Sequence, residues 1–290
     1  MKSFALLLLA FLAATTLASA GTLAQFRTQF GDIDVELYDQ EKPVTVRNFI
    51  RYAESGAYSN GFFHRCIPKF ALQGGGYTVP NPQSQAAFAL TNVTRIQTFP
   101  PITNEFNTGP RLSNTNGTIA MAKLPDDSNS ATCEWFFNLG DNSSNLDNQN
   151  GGFTVFGRVV AGTNLLNFFN TLDKATLKGV VDFRFCDTNT AAGAFSDLPV
   201  LYVGPFCPRN VDLFYADVTL LNVKVRPVDN GAQEISWNSV SNKLNKVEFT
   251  TNFPPAWHLL TATNGTGGAF TFVDSSVTNA QRFYRVLVDY

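Results

Sequence analysis

Apolar and polar residues alternate along Gln25-Phe26-Arg27-Thr28-Gln29-Phe30 and again along Ile33-Asp34-Val35-Glu36-Leu37. A period of two puts alternate side chains on one face of a strand. The segment Leu23 to Tyr38 therefore predicts a hairpin turning at Gly31-Asp32. Val44, Phe49, Ile50, Tyr52 and Ala53 then fall near helical spacing, with Pro43 in the first turn and Ser55-Gly56 as the stop. Phe62 to Gly76 reads FFHRCIPKFALQGGG. It is an apolar run with one arginine in its middle, a turn at Ile67-Pro68-Lys69, a second short strand and three glycines. Thr78 to Thr103 has no clean period and carries Pro80, Pro82, Pro100 and Pro101, which predicts a long loop. Gly117 to Lys123, Glu134 to Leu139 and Phe153 to Val160 read as strands, joined by loops at Ser128–Ala131 and Asp141–Asn150. Gly162 to Leu172 predicts a second helix, with Asn164 as its cap and Leu165, Leu166, Phe168, Phe169 and Leu172 as its apolar face. Residues 182–210 are irregular. Asp212 to Val223 reads as a last strand with Phe214, Ala216, Val218 and Leu220 on one face. Several strands with two helices far apart suggest a closed barrel capped by helices, although this pattern alone leaves a sandwich open.

From Arg226 the texture changes. Glu234–Trp237, Lys246–Thr250, Trp257–Leu260, Phe270–Asp274 and Arg282–Val286 are short apolar runs parted by Asn, Gly, Pro and Ser. That spacing predicts a small β-sandwich. It looks like the β-sandwich modules at the C-termini of many exported bacterial proteins, and it names no ligand. The expected organisation is a targeting segment at 1–20, a first domain at 21–225 and the small module at 226–290.

The 290 residues suffice for two domains, and 44% hydrophobic with 15% charged residues is a globular balance. The 27 phenylalanines suit β-rich cores. A net charge of −2 and a pI near 5.7 give no reason to expect nucleic acid as a partner. His64 and His258 are the only histidines, so a multi-histidine metal site is excluded. Lys2, the apolar run Phe4–Ala14 and Ala18-Ser19-Ala20 form an export signal, too short to span a membrane, and nothing later approaches the 18 apolar residues of a span. The mature chain is expected to start at Gly21 and to reside in the periplasm or outside the cell. Four cysteines in an oxidising compartment allow three pairings. Cys186 and Cys207 flank one irregular segment and are the favoured disulfide. Cys66 and Cys133 either pair across strands or stay as buried thiols. None of their spacings fits a zinc motif.

The run Phe63 to Gly75 closely follows F-H-R-x-I-x-x-F-x-x-Q-G-G and resembles the signature of the cyclophilin family of peptidyl-prolyl isomerases. Leu37-Tyr38-Asp39 with Pro43, Thr45-Val46 and Asn48-Phe49, then Gly117–Lys123 with Ser130–Asn138, then Gly152–Val160, resemble it in the same order. The resemblance spans roughly Leu23 to Val225. It implies a mainly β fold: an eight-stranded antiparallel barrel capped by two helices. The implied activity is cis-trans isomerisation of X-Pro bonds, with no cofactor and no metal.

By that resemblance Arg65 is the hydrogen-bond donor to the proline nitrogen. Phe70, Phe136, Leu146 and Phe153 form an apolar cup, and Gln73 holds substrate backbone. Ala122, Lys123 and Glu134 line the track beside the cup. Taken singly, an arginine in an apolar run reads as a salt bridge, each phenylalanine as core, and His64 as a structural histidine. Several positions depart from the familiar eukaryotic pattern: Ala71 replaces methionine, Lys123 asparagine, Glu134 glutamine, Phe153 histidine and Asn145 tryptophan. The last change removes a donor that helps bind cyclosporin, so weak binding of that ligand is expected. Lys123 and Glu134 place opposite charges near the track, which suggests a pair. Proline-containing polypeptides are the implied partners. The alternatives are a non-catalytic Pro-peptide binding module or chaperone, and a surface-attachment protein acting through the C-terminal module, where Trp237 and Trp257 would stack on sugars, although tryptophans in a sandwich read first as core.

Overall fold

The computed structural model describes residues 22–201, 207–239, 244–252, 255–266, 268–277 and 281–289. The expected export signal lies outside them. The opening hairpin pairs β1 (Leu23–Thr28) with β2 (Gly31–Leu37). Its turn falls at Gln29-Phe30, two residues before the expected Gly31-Asp32. Gly31, at φ 121°, enters the ladder opposite Thr28, whose hydroxyl donates to the Gly31 carbonyl at 2.6 Å. Helix α1 (Pro43–Glu54) starts on proline and buries Val46, Phe49 and Tyr52.

The signature run splits into β3 (Arg65–Ile67) and β4 (Ala71–Gly74). The long loop contains a small pair, β5 (Tyr77–Thr78) with β6 (Thr94–Arg95). Next come β7 (Thr118–Met121), β8 (Trp135–Asn138), a one-turn α2 (Ser143–Leu146) inside the expected polar loop, β9 (Val155–Ala161) and α3 (Thr163–Phe169). Asn164 does not cap α3. Gly162 occupies that position at φ 85° with no side-chain cap, because a Cβ there would lie 2.2 Å from the Asp32 carbonyl oxygen. After the short pair β10 (Val180–Val181) and β11 (Leu198–Pro199) comes β12 (Asp217–Leu220), shorter than the predicted strand.

Eight strands make one antiparallel sheet in the order β12-β1-β2-β9-β7-β8-β4-β3. The sheet curls until its ends meet. Phe63 N donates to Phe214 O and Ala216 N to Gly61 O, each at 2.9 Å, so residues 61–63 bridge to 214–216. The interior face carries Phe26, Ile33, Val35, Cys66, Leu72, Ile119, Met121, Trp135, Phe137 and Phe156. A second apolar cluster, with Phe62, Val79, Phe88, Phe183, Phe195 and Leu198, joins the long loop to the segment after β10. The expected Cys186–Cys207 disulfide staples that segment. Cys66 and Cys133 are free and buried, and burial pushes the Cys66 thiol up to about 12.

Beyond β12, β13 (Lys224–Pro227), β14 (Gln233–Asn238) and β17 (Ala269–Asp274) form one three-stranded sheet. β15 (Leu244–Thr250), β16 (His258–Asn264) and β18 (Phe283–Asp289) form another. Ile235, Trp237 and Val247 are buried between them. Among the described residues no helix is long and apolar enough to cross a membrane.

Candidate active site

Strand register builds the site. Arg65 stands opposite Gln73 across β3–β4, Gln73 opposite Phe136 across β4–β8, and Phe136 opposite Ala120 across β8–β7. Their neighbours Cys66, Leu72, Phe137 and Ile119 make the adjacent row, which points into the core. One residue of alternation thus separates the barrel interior from a row that puts a cation, an amide and an aromatic ring side by side on the outer face. Ala71, Ala120, Phe136, Leu146 and Val155, with half-buried Phe70, Ala122 and Phe153, form a separate apolar cluster on that face.

They surround a cavity of about 380 Å³ lined by Arg65, Phe70, Ala71, Gln73, Ala122, Lys123, Pro125, Phe136, Leu146, Gln149 and Phe153. Phe136 is its floor, with Phe153 edge-on at 5.9 Å between centroids. No hydroxyl, thiol, imidazole or carboxylate lines it. The structure brings together eight of the nine residues expected from the sequence.

Glu134 is the exception. It lies under the amide end of the row, where Gln73 Nε2 donates to its Oε2 at 2.8 Å, His64 Nε2 is 3.5 Å away and Arg95 Nη2 is 3.6 Å from Oε1. Burial alone would raise this carboxyl, but His64, Gln73 and Arg95 together hold it below the ordinary value. Glu134 therefore orients Gln73 rather than lining the cup. His64 is 3% exposed and edge-on to Tyr77, as suits a structural histidine.

The suggested Lys123–Glu134 pair does not form. Lys123 Nζ donates to Asn150 O at 2.6 Å and Gly152 O at 2.7 Å, and lies 4.6 Å from the centroid of the Phe153 ring. Asn150, Gly151 and Gly152 all have positive φ (50°, 73° and 78°), which turns two carbonyls toward the ammonium. At Gly152 a Cβ would sit 2.1 Å from the Phe106 ring, so only glycine fits. Burial lowers the Lys123 pKa to about 8, against the opposing pull of Asp127.

Sequence reasoning missed the network that holds the cup. Asn142 Nδ2 donates to Phe70 O at 2.8 Å and to Asn138 Oδ1 at 2.7 Å. Asn138 Nδ2 donates to Asn114 Oδ1 at 3.2 Å and to Thr118 Oγ1 at 2.9 Å. Asn114 Nδ2 donates to Asp147 Oδ1 at 2.8 Å and Phe153 O at 3.0 Å. The backbones of Phe70 and Phe153, on opposite walls, are thus tied through buried amides. The only signal in the chain is the recurrence of asparagine in loops, which also marks turns. Pro125 and Gln149, which also line the cavity, carry no signal of their own.

Two of the three glycines ending the signature, Gly74 and Gly75, serve Trp135, and the third, Gly76, lies against Glu134. A Cβ on Gly74 would lie 2.5 Å from the Trp135 ring, and one on Gly75 would lie 2.5 Å from Trp135 Nε1. They let β4 pass over a buried tryptophan and so keep Gln73 beside Phe136.

The curled antiparallel sheet thus carries an aromatic cup with the Arg65 guanidinium at its edge, lined by no hydroxyl, thiol, imidazole or carboxylate among the described residues. Residues 23–182 match the family model described as cyclophilin type peptidyl-prolyl cis-trans isomerase/CLD. The chain is 37% identical over 153 residues to a peptidyl-prolyl cis-trans isomerase of Acinetobacter baylyi, covering 52% of this chain and 72% of the relative. It is 38% identical over 181 residues to peptidyl-prolyl cis-trans isomerase B of Escherichia coli, covering 61% and 92%. A solved cyclophilin-type isomerase of Cryptosporidium parvum, crystallised in the presence of the dipeptide Ala-Pro, aligns over 69% of this chain and 99% of that one, at 19% identity and a TM-score of 0.44. The chain belongs to the cyclophilin-type peptidyl-prolyl cis-trans isomerase family and is an isomerase.

Proposed function

We propose that the protein accelerates X-Pro isomerisation in exported polypeptides, with Arg65 as the group that stabilises the twisted bond. Rotation about an X-Pro bond faces a barrier of about 18–20 kcal/mol because amide resonance is lost. As the bond twists, the proline nitrogen becomes pyramidal and regains a lone pair. A donor aimed at that nitrogen in a dry site lowers the twisted state more than either planar one, which is differential binding without a covalent step. Arg65 suits the role because its guanidinium stays charged at all working pH and carries several N–H groups. The cup of Phe70, Phe136, Leu146 and Phe153 takes the pyrrolidine ring. Gln73, oriented by Glu134, is placed to bond the flanking peptide, and Ala122 lies along the same edge.

The observation that carries this reading is the register row Arg65–Gln73–Phe136 at the edge of the cup. A protease-coupled assay on X-Pro peptides tests it. Isomerisation well above the uncatalysed rate is expected, and no acceleration at micromolar protein would end the proposal.

Export is supported by the apolar segment Phe4–Ala14 with its small-residue end and by the Cys186–Cys207 disulfide. N-terminal sequencing of protein recovered outside the cytoplasm should begin at Gly21. We assign the isomerase to residues 21–225 and read 226–290 as a small β-sandwich appended to it, since every residue lining the cup lies between 65 and 153.

A further inference from the structure

Arg65 has one charged partner among the described residues, and it lies outside the segment that matches the family model. Asp197 sits in the segment after β10, just before β11. Its carboxylate Oδ2 is 3.9 Å from Arg65 Nε, and both side chains are partly exposed. The approach is fixed from the backbone, because Cys66 N, the residue after Arg65, donates to the Asp197 carbonyl at 2.7 Å. The carboxylate is itself held. Ser196 Oγ donates to Oδ2 at 2.9 Å and Lys174 Nζ to Oδ1 at 3.0 Å. The segment that delivers it is anchored by Phe183, Phe195 and Leu198 in the second apolar cluster and closed by the Cys186–Cys207 bond.

We propose that Asp197 is a positioning residue for Arg65: it engages the guanidinium at Nε and so turns the two terminal nitrogens toward the cup. A guanidinium is a planar fork with five N–H groups. A carboxylate on the Nε side, at 3.9 Å an ion-pair contact rather than a hydrogen bond, biases the orientation of the fork by its charge and leaves both Nη atoms free for substrate. A partner at Nη would instead compete with the proline nitrogen. The Asp197 carboxylate touches no lining residue of the cup other than Arg65 among the contacts described. Its effect should therefore fall on turnover rather than on peptide affinity. Misplacement of a catalytic group costs up to about a hundredfold for a shift near 1 Å, and loss of one orienting contact on a group still tethered to a strand should cost less, roughly tenfold.

This inference rests on the role assigned to Arg65, and a double-mutant cycle separates the two. Asp197→Asn keeps the shape and the backbone anchor. In the otherwise native chain it should lower kcat roughly tenfold, with KM changed less than about twofold. In the Arg65→Lys background, where no fork remains to orient, it should change kcat less than about twofold. Asp197→Glu should restore part of the loss. Ser196→Ala, which removes one of the two side-chain bonds holding the carboxylate and leaves that from Lys174, should fall between. Equal losses from Asp197→Asn in both backgrounds, or none in either, would overturn the positioning role. An Arg65→Lys chain as active as the native one would instead overturn the assignment of Arg65.

Discussion

Replacing Lys123 by methionine removes the ammonium that clamps one wall of the cup while keeping an unbranched apolar side chain out to Cε. The clamp consists of hydrogen bonds to Asn150 O and Gly152 O, the carbonyls of a loop whose three successive residues have positive φ. Charge-assisted hydrogen bonds contribute about 1.5–3 kcal/mol each in favourable sites, but this one is half-exposed and water can resolvate the carbonyls. The next residue is Phe153, one wall of the cup. A pyrrolidine ring buries three methylenes at about 0.8 kcal/mol each, and a displaced Phe153 forfeits part of that. A loss of about 1 kcal/mol corresponds to roughly a fivefold rise in KM, with kcat little changed because Arg65 is untouched.

The pH dependence has a definite sign. The Lys123 pKa is lowered to about 8, so the charged clamp is complete below that value and lost as pH rises through it. The neutral amine still donates, at about half the strength. KM in the native chain should therefore rise roughly twofold to threefold between pH 7 and 9, and the Lys123→Met chain should be flat over that range. Steady-state kinetics on one X-Pro peptide, read without a protease so that the coupling enzyme adds no pH term, decides it. A Lys123→Met chain with native KM at pH 7, or one that keeps the alkaline rise, would refute the clamp.

Two further predictions concern the scaffold. Asn142→Ala removes the donor to Phe70 O and leaves the fully buried Asn138 Oδ1 without it. It should destabilise by about 1–3 kcal/mol in denaturant titration and raise KM by releasing Phe70; an unchanged midpoint would show that the amide network carries no stability. Gly74→Ala drives a Cβ to 2.5 Å from the Trp135 ring. Overpacking of about 1–3 kcal/mol should appear as a lower Tm and a shifted Trp135 fluorescence maximum, and a native melting curve would show that the strand yields freely.

The site was legible where local pattern and register coincide. Alternation along 62–76 told that Arg65 and Cys66 face opposite ways, and β3 places Cys66 in the core and Arg65 at the cup. The hairpin turn moved by two residues because Gly31 adopts a φ that fits the ladder, which a glycine in a sequence does not disclose. Lys123 and Glu134 carry opposite charges and invited a pair. The positive φ of 150–152 offers Lys123 carbonyls instead, and carbonyl direction is a backbone property that side-chain pattern does not encode. Asp197 reaches Arg65 from 132 positions away, through an irregular segment whose placement depends on a disulfide and a phenylalanine cluster. Contacts of that range are set by tertiary packing, so no local window displays them.

The central claim is that Arg65 acts on the twisted bond and not on the ground state. Its most direct test compares the native chain with Arg65→Ala for both X-Pro peptide affinity and isomerisation rate. Removing one preorganised donor should cost about 10²–10³ in kcat, while peptide affinity falls no more than severalfold because the apolar cup remains. An Arg65→Ala chain that isomerises at the native rate, or one that loses affinity and rate in equal measure, would contradict the account.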